Sequence, residues 1–366
     1  MFSSRIEKLN PYVPGEQPKD REYIKLNANE NPFPPSSKVT KGIEAFVKNQ
    51  EMKLALYPDP DSTDLRISIA EHLNKTGGCM NNPQKLKNPI TKDMIFCGNG
   101  SDEVLSFVFY TFFDKLIIPE HTYSFYPVYC DYYGIELEKI PLNSDFTINK
   151  ELMLEKANST SGMIFANPNA PTSLSLSNDE IRTMLKNYPK DKVFVVDEAY
   201  ADFSDESVLS LLDEFENLVI VRTFSKSMCA AGMRLGYLVA NEKIISVIKT
   251  AKNSFNHFPV DVITQQMGIL SCQDTDYYID CTKKIVKTRQ DFSQFLTENN
   301  WDFYESKTNF ILAKKQGLSG KEIYEKIKES GILVRHFSTK GIEDFVRISV
   351  GTYEQMEELK QIMKNL

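Results

Sequence analysis

A lysine, an aspartate and an arginine form the most informative set of residues in this chain. Lys226 follows the apolar segment 218–221 after a short polar loop, and Arg234 lies eight residues further on. Asp197 ends another apolar segment, 193–196, twenty-nine residues before the lysine. A lysine amine can condense with an aldehyde, a carboxylate can keep a pyridine nitrogen protonated, and a guanidinium suits two phosphate oxygens. Together the three side chains indicate a site for a phosphorylated pyridine aldehyde.

Each of these residues also has an ordinary structural interpretation. Lys226 taken alone is a surface lysine, Arg234 a solvated helix charge, and Asp197 a carboxylate that caps a turn. Chemistry is favoured because the lysine follows a buried strand and stands between the small polar residues Ser225 and Ser227. The arginine is flanked by small and apolar residues, where a guanidinium is seldom left unpaired.

Two further segments follow predicted strands. Residues 98–103 join a strand to a helix that we expect to begin near Val104, with Ser101 as its N-cap. The free amides of such a helix start, with Gly100 beside them, would suit a phosphate, although capping alone requires the same residues. Tyr123, after the next strand, either stacks on a flat ring or packs in the core.

Two arginines near the C-terminus are candidates for substrate binding. Arg335 and Arg347 lie twelve residues apart, each at or near a short predicted strand. Each is either a surface charge or, as a pair on adjacent strands, part of a clamp for an anionic substrate tail.

The overall composition is that of a water-soluble protein with a substantial core. The chain has 366 residues, of which 41% are hydrophobic and 25% charged, and its net charge is −7. Its length suits a large domain plus a smaller one, and its negative charge argues against nucleic-acid or membrane-surface partners. The six cysteines form no C-x-x-C pair, so we expect reduced thiols and no metal site. No segment resembles a signal peptide or a membrane span, and we expect a cytoplasmic protein.

The positioning elements follow from the hydrophobic pattern. Helices are predicted at 41–50 and 63–74, and residues 75–92 are predicted to form a surface loop. Strands that alternate with helical stretches are predicted at 94–98, 116–119, 161–166, 192–197, 218–223 and 236–240. This alternation predicts a mostly parallel sheet with helices on both faces, whose functional groups gather at the carboxyl ends of the strands.

The last third of the chain has a different pattern of predicted helices and strands. Helices are predicted at 264–271 and 276–299, short strands around 310–313, 332–335 and 345–349, and a final helix at 353–365. This pattern indicates a smaller α+β domain. We expect a large domain at residues 45–255, and a small domain made of residues 256–366 and an N-terminal arm, residues 1–44.

Taken together, these residues resemble those of the fold-type I pyridoxal phosphate aminotransferases, most closely the histidinol-phosphate aminotransferase group. The resemblance runs over nearly the whole length. Its motifs are residues 27–32 (Asn-Ala-Asn-Glu-Asn-Pro), 57–58 (Tyr-Pro), 98–103 (Gly-Asn-Gly-Ser-Asp-Glu), 122–123 (Thr-Tyr), 167–172 (Asn-Pro-Asn-Ala-Pro-Thr), 197–200 (Asp-Glu-Ala-Tyr), 225–226 (Ser-Lys) with Arg234, and 347–352 (Arg-Ile-Ser-Val-Gly-Thr). It implies bound pyridoxal 5′-phosphate (PLP) and a three-layer large domain with a mostly parallel sheet.

The resemblance also implies a role for each matching residue. Lys226 would be the Schiff-base lysine and proton shuttle, Asp197 would pair with the pyridine nitrogen, Tyr200 with the phenolic oxygen, and Tyr123 would stack on the ring. Gly100, Ser101, Asp102, Ser225 and Arg234 would hold the cofactor phosphate. Tyr57 would contact the cofactor phosphate of a neighbouring subunit, which implies a homodimer. Arg335, Arg347 and Asn29 would meet the substrate.

Two positions depart from the family pattern. Ala170 stands where many relatives have an asparagine that bonds the phenolic oxygen, so that either Asn169 substitutes for it or Tyr200 acts alone. Ser173 stands where glycine is usual, and the turn is expected to differ there.

The resemblance implies transamination between histidinol phosphate, as amino donor, and the keto acid 2-oxoglutarate. Two enzymatic alternatives remain: a PLP-dependent decarboxylase of a phosphorylated amino acid, similar to threonine-phosphate decarboxylase, and an aminotransferase for aromatic amino acids or another small phosphorylated amine. A cofactor-binding regulator fused to a DNA-binding domain is disfavoured, because the first forty-five residues hold no helix-turn-helix pattern and no basic cluster.

Overall fold

The computed structural model describes residues 2–366 of the chain as an α/β protein. Its helices are α1 (Ser37–Asn49), α2 (Thr63–Thr76), α3 (Gly100–Phe112), α4 (Tyr126–Tyr133), α5 (Lys150–Ala157), α6 (Asn178–Asn187), α7 (Glu242–Asn253), α8 (Val262–Cys272), α9 (Thr275–Glu298), α10 (Gly320–Glu329) and α11 (Tyr353–Met363). Its strands are β1 (Ile24–Lys25), β2 (Ile95–Asn99), β3 (Lys115–Pro119), β4 (Glu136–Ile140), β5 (Gly162–Ala166), β6 (Val193–Asp197), β7 (Leu218–Thr223), β8 (Leu235–Ala240), β9 (Trp301–Phe303), β10 (Phe310–Lys315), β11 (Ile332–Leu333), β12 (Arg335–His336) and β13 (Val346–Ser349). None of the helices described is both long and apolar enough to span a membrane.

A seven-stranded sheet in the order β2-β8-β7-β6-β5-β3-β4 forms the centre of the molecule. Strands β7, β6, β5, β3 and β4 are parallel, and β8 runs antiparallel to both of its neighbours. Successive side chains of β6 enter opposite cores: Phe194 and Val196 pack on one face, Val193 and Val195 on the other. Because helices cover both faces, the central strands β5, β6 and β7 are buried along their whole length and mainly apolar. The expected α/β class with a mostly parallel sheet is confirmed.

The strand directions explain why distant residues meet at one edge of this sheet. Strand β2 runs in the same direction as β7, because each is antiparallel to β8. The carboxyl ends of β2, β3, β5, β6 and β7 therefore share an edge, and β8 begins there. Arg234, which directly precedes β8, reaches this edge from the opposite chain direction, since Gly236 pairs with Thr223 and Leu235 with Asn99.

A second, antiparallel sheet in the order β12-β13-β10-β9 packs with α9, α10 and α11 around a separate apolar cluster. Strand β1 of the N-terminal segment pairs in parallel with β11, and Leu26 is buried in the same cluster. The N-terminal segment is thus joined to the C-terminal part of the chain. The predicted domain limits, 45–255 against 1–44 with 256–366, stay a prediction.

Two expectations about local structure were wrong. The pattern missed β4, because this edge strand, Glu-Leu-Glu-Lys-Ile, is largely exposed and has no apolar run. Residues 75–92 are only partly a surface loop, since residues 76–80 are buried and 82–89 mostly exposed. The buried part is fixed by charged groups: Arg222 donates to the carbonyl of Gly78 at 2.7 Å, and the Met80 N–H donates to Asp202 at 3.2 Å.

Candidate active site

A cavity of about 440 Å³ opens at the carboxyl edge of the central sheet. Its lining includes six of the residues singled out from the sequence: Asn29, Tyr123, Tyr200, Lys226, Arg335 and Arg347. These residues come from the N-terminal segment, the central sheet and the second sheet. The structure therefore brings the candidate lysine, the tyrosine that is predicted to stack on a ring, and the arginine pair to one place.

Lys226 lies in the loop after β7, residues 224–230, here called the Lys226 loop. Its Nζ donates to the carbonyl oxygen of Ala28 at 3.3 Å and lies 5.8 Å from the centre of the Tyr200 ring. The side-chain amide of Asn31 donates to the carbonyl oxygen of Lys226 at 2.9 Å. The N-terminal segment thus contacts both the amine and the backbone of the lysine, which fixes the amine at the cavity.

Asp197 is buried at the end of β6, below the cavity. The Tyr126 hydroxyl, at the start of α4, donates to Oδ2 at 2.8 Å, and the Ala199 N–H donates to Oδ1 at 3.1 Å. Burial raises the pKa of Asp197 to about 6, and the two hydrogen bonds oppose that rise. Because a buried carboxylate without a cationic partner is unfavourable, a cationic N–H group bound beside Asp197 would stabilise its ionised form.

Arg234 joins with Gly100, Asp102 and Ser225 in what is here called the Arg234 cluster. Its guanidinium donates to Asp102 at 2.9 Å and to the Ser225 hydroxyl at 3.4 Å. Asp102 also accepts from the hydroxyl of Tyr123 at 3.1 Å, so the cluster adjoins the cavity. Gly100 has a φ of 79°, and a Cβ there would lie 2.6 Å from a guanidinium nitrogen. Glycine at this position therefore leaves space between the helix start and the arginine.

Ser101 lies inside the first turn of α3 and does not cap it. The helix begins at Gly100, four residues before the expected Val104, and Asn99 holds the N-cap position. The Glu103 carboxylate accepts the Asn99 N–H at 2.6 Å. The expected N-cap role of Ser101 was wrong, because the helix starts earlier, at the left-handed Gly100, and Asn99 precedes it as the N-cap residue. The N–H groups of this first turn still point to the same edge.

Tyr200 is oriented by residues from distant segments. Its hydroxyl accepts a hydrogen bond from the Asn29 amide at 2.9 Å, and its ring packs edge-on against Phe310 at 5.1 Å. Asn29 is itself fixed by Ser349, whose hydroxyl donates to Oδ1 at 3.0 Å and accepts the Asn29 N–H at 2.8 Å. Asn29, a predicted substrate residue, thus lines the cavity and also positions Tyr200.

The structure does not bring Asn169 to the cavity. Its amide nitrogen donates to the carbonyl oxygen of His121 at 2.8 Å, and its Oδ1 accepts from the Thr122 hydroxyl at 3.0 Å. Asn169 therefore ties the loop after β5 to the loop after β3. Ala170 lines the cavity instead and has no side-chain donor. Of the two expected donors to a phenolic oxygen, only Tyr200 lies at the cavity.

Ser173 adopts a backbone conformation that glycine favours, with a φ of 67°. Its N–H donates to the carbonyl oxygen of Asn169 at 2.8 Å, which closes the turn. Its hydroxyl is buried and has no hydrogen-bond partner among residues 2–366. The serine is therefore accommodated with both backbone strain and an unsatisfied polar group.

Arg335 and Arg347 lie directly opposite each other on β12 and β13. Arg347 donates to the carbonyl oxygen of Asn27 at 3.1 Å, and both guanidiniums lie near the Phe337 ring, at 5.7 and 5.6 Å. Desolvation, with the nearby charge of Arg335, lowers the pKa of Arg347. Within the part of the chain that the structure describes, neither arginine forms an ion pair. Two like charges directly opposite each other without a counterion repel, and an anion bound between them would relieve that repulsion.

Tyr57 lies outside this cavity. Its side chain is 84% exposed and stacks on Phe258, with ring centres 4.7 Å apart. A role toward the cavity of the same chain is excluded by this placement, whereas the role predicted from the resemblance concerns a neighbouring subunit.

Sequence reasoning missed two residues of the site, Tyr126 and Asn31. Tyr126 lies three residues after Tyr123, which precedes α4, and its contact with Asp197 joins segments 71 residues apart, which no local pattern indicates. Asn31 contacts the Lys226 backbone from almost two hundred residues away, and no local pattern indicates such a contact.

The family model for aminotransferase class I and II matches residues 21–362 of the chain. The chain belongs to this family. Histidinol-phosphate aminotransferase from Syntrophus aciditrophicus is 46% identical over 100% of this chain and 98% of that protein. Histidinol-phosphate aminotransferase 1 from Oceanobacillus iheyensis is 41% identical over 98% of this chain and 96% of that protein. The resemblance and the enzyme class predicted from the motifs are confirmed.

Solved structures agree with the fold of this class I and II aminotransferase. Histidinol-phosphate aminotransferase from Sinorhizobium meliloti, in complex with pyridoxal-5′-phosphate, superimposes with a TM-score of 0.85 at 22% identity, over 100% of this chain and 96% of that one. Aspartate aminotransferase from Thermotoga maritima superimposes with a TM-score of 0.81 at 19% identity, over 100% of this chain and 99% of that one. At these identities the likeness concerns the fold, and the expected fold-type I architecture is confirmed.

Proposed function

We propose that this aminotransferase uses PLP to transfer the amino group of histidinol phosphate to 2-oxoglutarate, giving imidazole acetol phosphate and glutamate. The observation that carries the proposal is the pair Arg335 and Arg347, which faces the cavity of Lys226 without a counterion among the described residues. The names of relatives that are 40–46% identical over almost the whole chain support the same substrate.

The residues present fit PLP. The space left by Gly100 beside the Arg234 guanidinium suits a phosphate, because a Cβ would fill it. The buried Asp197, with its raised pKa, suits a protonated ring nitrogen. Lys226 Nζ supplies the amine, and Tyr200 supplies a hydroxyl at the cavity. Ser101, Asp102 and Ser225 remain predicted phosphate contacts, and Asn169 is not supported, since its amide is engaged elsewhere.

When bound, PLP supplies an electron-accepting ring that stabilises negative charge at the substrate α-carbon. Asp197 would keep the ring nitrogen protonated, and Tyr123 would pack on the ring. Lys226 Nζ would take the proton from the substrate α-carbon as a general base and return it as a general acid. The contacts from Ala28 and Asn31 hold the lysine at the cavity, where it would serve both steps.

The arginine pair would bind both substrates in turn. A planar guanidinium donates two parallel hydrogen bonds to two oxygens of a phosphate or of a carboxylate, with similar geometry in the two cases. Arg335 and Arg347 would therefore bind the phosphate of the amino donor in the first half of the reaction, and a carboxylate of the keto acid in the second. The negative net charge of the chain makes this local positive site necessary.

We further propose that the enzyme is a cytoplasmic homodimer in which Tyr57 completes the phosphate site of the other subunit. The segment before it exposes Met52, Leu54 and Leu56 at 68%, 49% and 63%. Such an apolar surface favours a protein partner. Light scattering that shows a monomer at micromolar concentration would contradict the dimer, and Tyr57→Phe should weaken PLP binding.

The reaction is tested by following the cofactor spectrum of the holoenzyme when single substrates are added. Histidinol phosphate should convert the aldehyde form of the cofactor to its amine form, and 2-oxoglutarate should restore it. Lys226→Ala should abolish turnover, and retained transamination in that variant would contradict the mechanism. Release of carbon dioxide from a phosphorylated amino acid would instead favour the decarboxylase. A spectral change with aromatic amino acids alone would show that the amino donor is an aromatic amino acid and not histidinol phosphate.

Arginine variants test the substrate site separately from the chemistry. Arg335→Gln and Arg347→Gln should raise KM for both substrates at least tenfold, because a charge-assisted hydrogen bond contributes about 1.5–3 kcal/mol. Arg182→Gln is the matched control, since this arginine lies on α6, does not line the cavity, and pairs with Asp179 and Glu214. Unchanged KM values in both cavity variants would remove the pair from the substrate site.

A further inference from the structure

Three charged side chains that do not line the cavity form a buried group next to the Lys226 loop, here called the Arg222 cluster. It consists of Arg222 on β7 with Glu198 and Asp202, and none of these side chains is more than 11% exposed. One terminal nitrogen of the guanidinium lies 3.1 Å from the Glu198 carboxylate, and the other lies 3.1 Å from that of Asp202. Charges buried in this way are unfavourable unless each of them is paired and hydrogen-bonded.

Each carboxylate of the Arg222 cluster also accepts from one serine hydroxyl and one backbone N–H. Glu198 accepts from the Ser207 hydroxyl at 2.7 Å and from the N–H of the following residue at 2.7 Å. Asp202 accepts from the Ser227 hydroxyl at 2.6 Å and from the Met80 N–H at 3.2 Å. Because hydrogen bonds to a buried carboxylate are strong and costly to lose, both hydroxyls are firmly held.

Residues 78–81, which belong to the predicted surface loop, pack against the Arg222 cluster. The Gly78 carbonyl oxygen accepts from Arg222 at 2.7 Å, and the Asn81 N–H donates to the backbone carbonyl of Asp202 at 3.0 Å. Gly78 has a φ of 78°, and a Cβ there would lie 2.9 Å from a guanidinium nitrogen. The segment therefore holds both Arg222 and Asp202 in place through its backbone.

The Ser227 hydroxyl connects the Arg222 cluster to the residue next to the candidate lysine. Ser227 is buried and directly follows Lys226. On the other side of the lysine, the Ser225 hydroxyl accepts from Arg234 at 3.4 Å, and the carbonyl oxygen of the lysine itself accepts from Asn31 at 2.9 Å. Three successive residues are thus held, and the hydrogen bond of Ser227 is the shortest of the three.

We infer that Asp202 is a positioning residue for Lys226 and acts through the Ser227 hydroxyl, on the basis of the role proposed above for the lysine. Once a substrate has freed the lysine amine, the position of that amine depends on the backbone that carries it. Asp202, which is fixed by Arg222 and by residues 78–81, holds this backbone where Nζ reaches the substrate α-carbon.

Ser227→Ala removes the hydroxyl and leaves Asp202 paired with Arg222. We expect kcat of the holoenzyme to fall at least about tenfold, because a misplacement of about 1 Å can lower a rate a hundredfold. KM should stay within about twofold, since the arginine pair at the cavity is unchanged. Asp202→Asn keeps an oxygen that accepts from Ser227 but removes its charge, and should lower kcat by a smaller factor.

Ser207→Ala is the matched control. This buried serine donates to the other carboxylate of the Arg222 cluster at 2.7 Å, but it lies outside the Lys226 loop. The control should leave kcat unchanged. An equal loss of kcat in the two serine variants would overturn the inference, because the cluster would then act through general stability and not through the position of the lysine.

Amide hydrogen exchange measures the restraint on the Lys226 loop separately from activity. In full-length protein, residues 224–230 should exchange several-fold faster in Ser227→Ala than in the wild type, with the larger difference when PLP is absent. Ser207→Ala should match the wild type.

Borohydride reduction of the holoenzyme separates this inference from the proposed function, because it fixes the pyridoxyl group on the lysine that carries it. A pyridoxyl group on a different lysine would overturn the proposed role of Lys226 and the positioning role of Asp202 with it. If the group is on Lys226, unchanged kcat or unchanged exchange in Ser227→Ala would overturn the positioning role alone.

Discussion

Replacing Tyr126 with phenylalanine should raise the pKa of Asp197. The hydroxyl of Tyr126 donates to the carboxylate at 2.8 Å, and this hydrogen bond opposes the desolvation that places the pKa at about 6. A hydrogen bond to a charged group contributes ~1.5–3 kcal/mol, and one pKa unit corresponds to ~1.4 kcal/mol. Tyr126→Phe should therefore move the pKa of Asp197 in the cofactor-free protein up by about one to two units.

Infrared spectroscopy measures this shift directly, because a protonated carboxyl group absorbs apart from the carboxylate region. The Asp197 band is identified by its absence in Asp197→Asn. A second measurement is the pH dependence of PLP affinity: the acidic limb, where Asp197 loses its charge, should move up by the same amount in Tyr126→Phe. Agreement between the two would show that the tyrosine acts through the aspartate.

Tyr129→Phe is the matched control for this experiment. Its hydroxyl also belongs to α4, but it donates to the backbone carbonyl of Asp102 at 2.8 Å and does not contact Asp197. The control should leave the pKa of Asp197 where it is. If Tyr126→Phe leaves it unchanged as well, or if both variants shift it equally, the hydrogen bond from Tyr126 does not set the charge of Asp197.

Three further outcomes are expected. Ser173→Gly should raise the free energy of unfolding by about 1–2 kcal/mol, because it relieves the left-handed strain and removes the unsatisfied hydroxyl. Ser173→Ala removes only the hydroxyl. If urea unfolding shows the same increase in stability for both variants, the backbone strain at this position is refuted. Gly100→Ala should weaken PLP affinity, measured by titration, by at least about tenfold, because its Cβ displaces the Arg234 guanidinium, and unchanged affinity would refute this. Without cofactor, the raised pKa of Asp197 contributes stability that is complete below pH 3.8 and is lost as the pH rises to about 6. Asp197→Asn should therefore raise the free energy of unfolding of the cofactor-free protein at pH 8, by at most ~3 kcal/mol, but not at pH 4. An equal effect of the substitution at both pH values would contradict this prediction.

The central sheet could be predicted because its strands are continuous apolar runs that are buried on both faces. Strand β4 could not, since at the sheet edge only one of its residues, Ile140, is buried. The buried stretch 76–80 was also missed, because its burial depends on the Arg222 guanidinium and on Asp202, which bind its backbone from distant parts of the chain. Local sequence patterns reveal segments that are buried by apolar contacts. They do not reveal segments that are held in place by hydrogen bonds from distant polar residues.

The site was predictable to the extent that it lies at strand ends. Lys226 lies just after a buried strand and Asp197 ends another, and both positions were predicted directly from the sequence. Asn169 also follows a strand, yet its amide turns to His121 and away from the cavity, because the loop after β3 offers a backbone carbonyl. The direction of a side chain in a loop depends on which neighbour the fold supplies, and this information is not local.

The absence of a donor at Ala170 gives the remaining hydroxyl, that of Tyr200, greater weight. That hydroxyl accepts from Asn29, which is fixed by Ser349, and Ser349 stands two residues from Arg347 on the same strand, β13. A movement of β13 when Arg347 binds an anion would therefore be passed to Asn29 and then to the Tyr200 hydroxyl. Under the proposed function, this path would couple the binding of a substrate anion at Arg347 to the hydroxyl of Tyr200, with no second side-chain donor at Ala170.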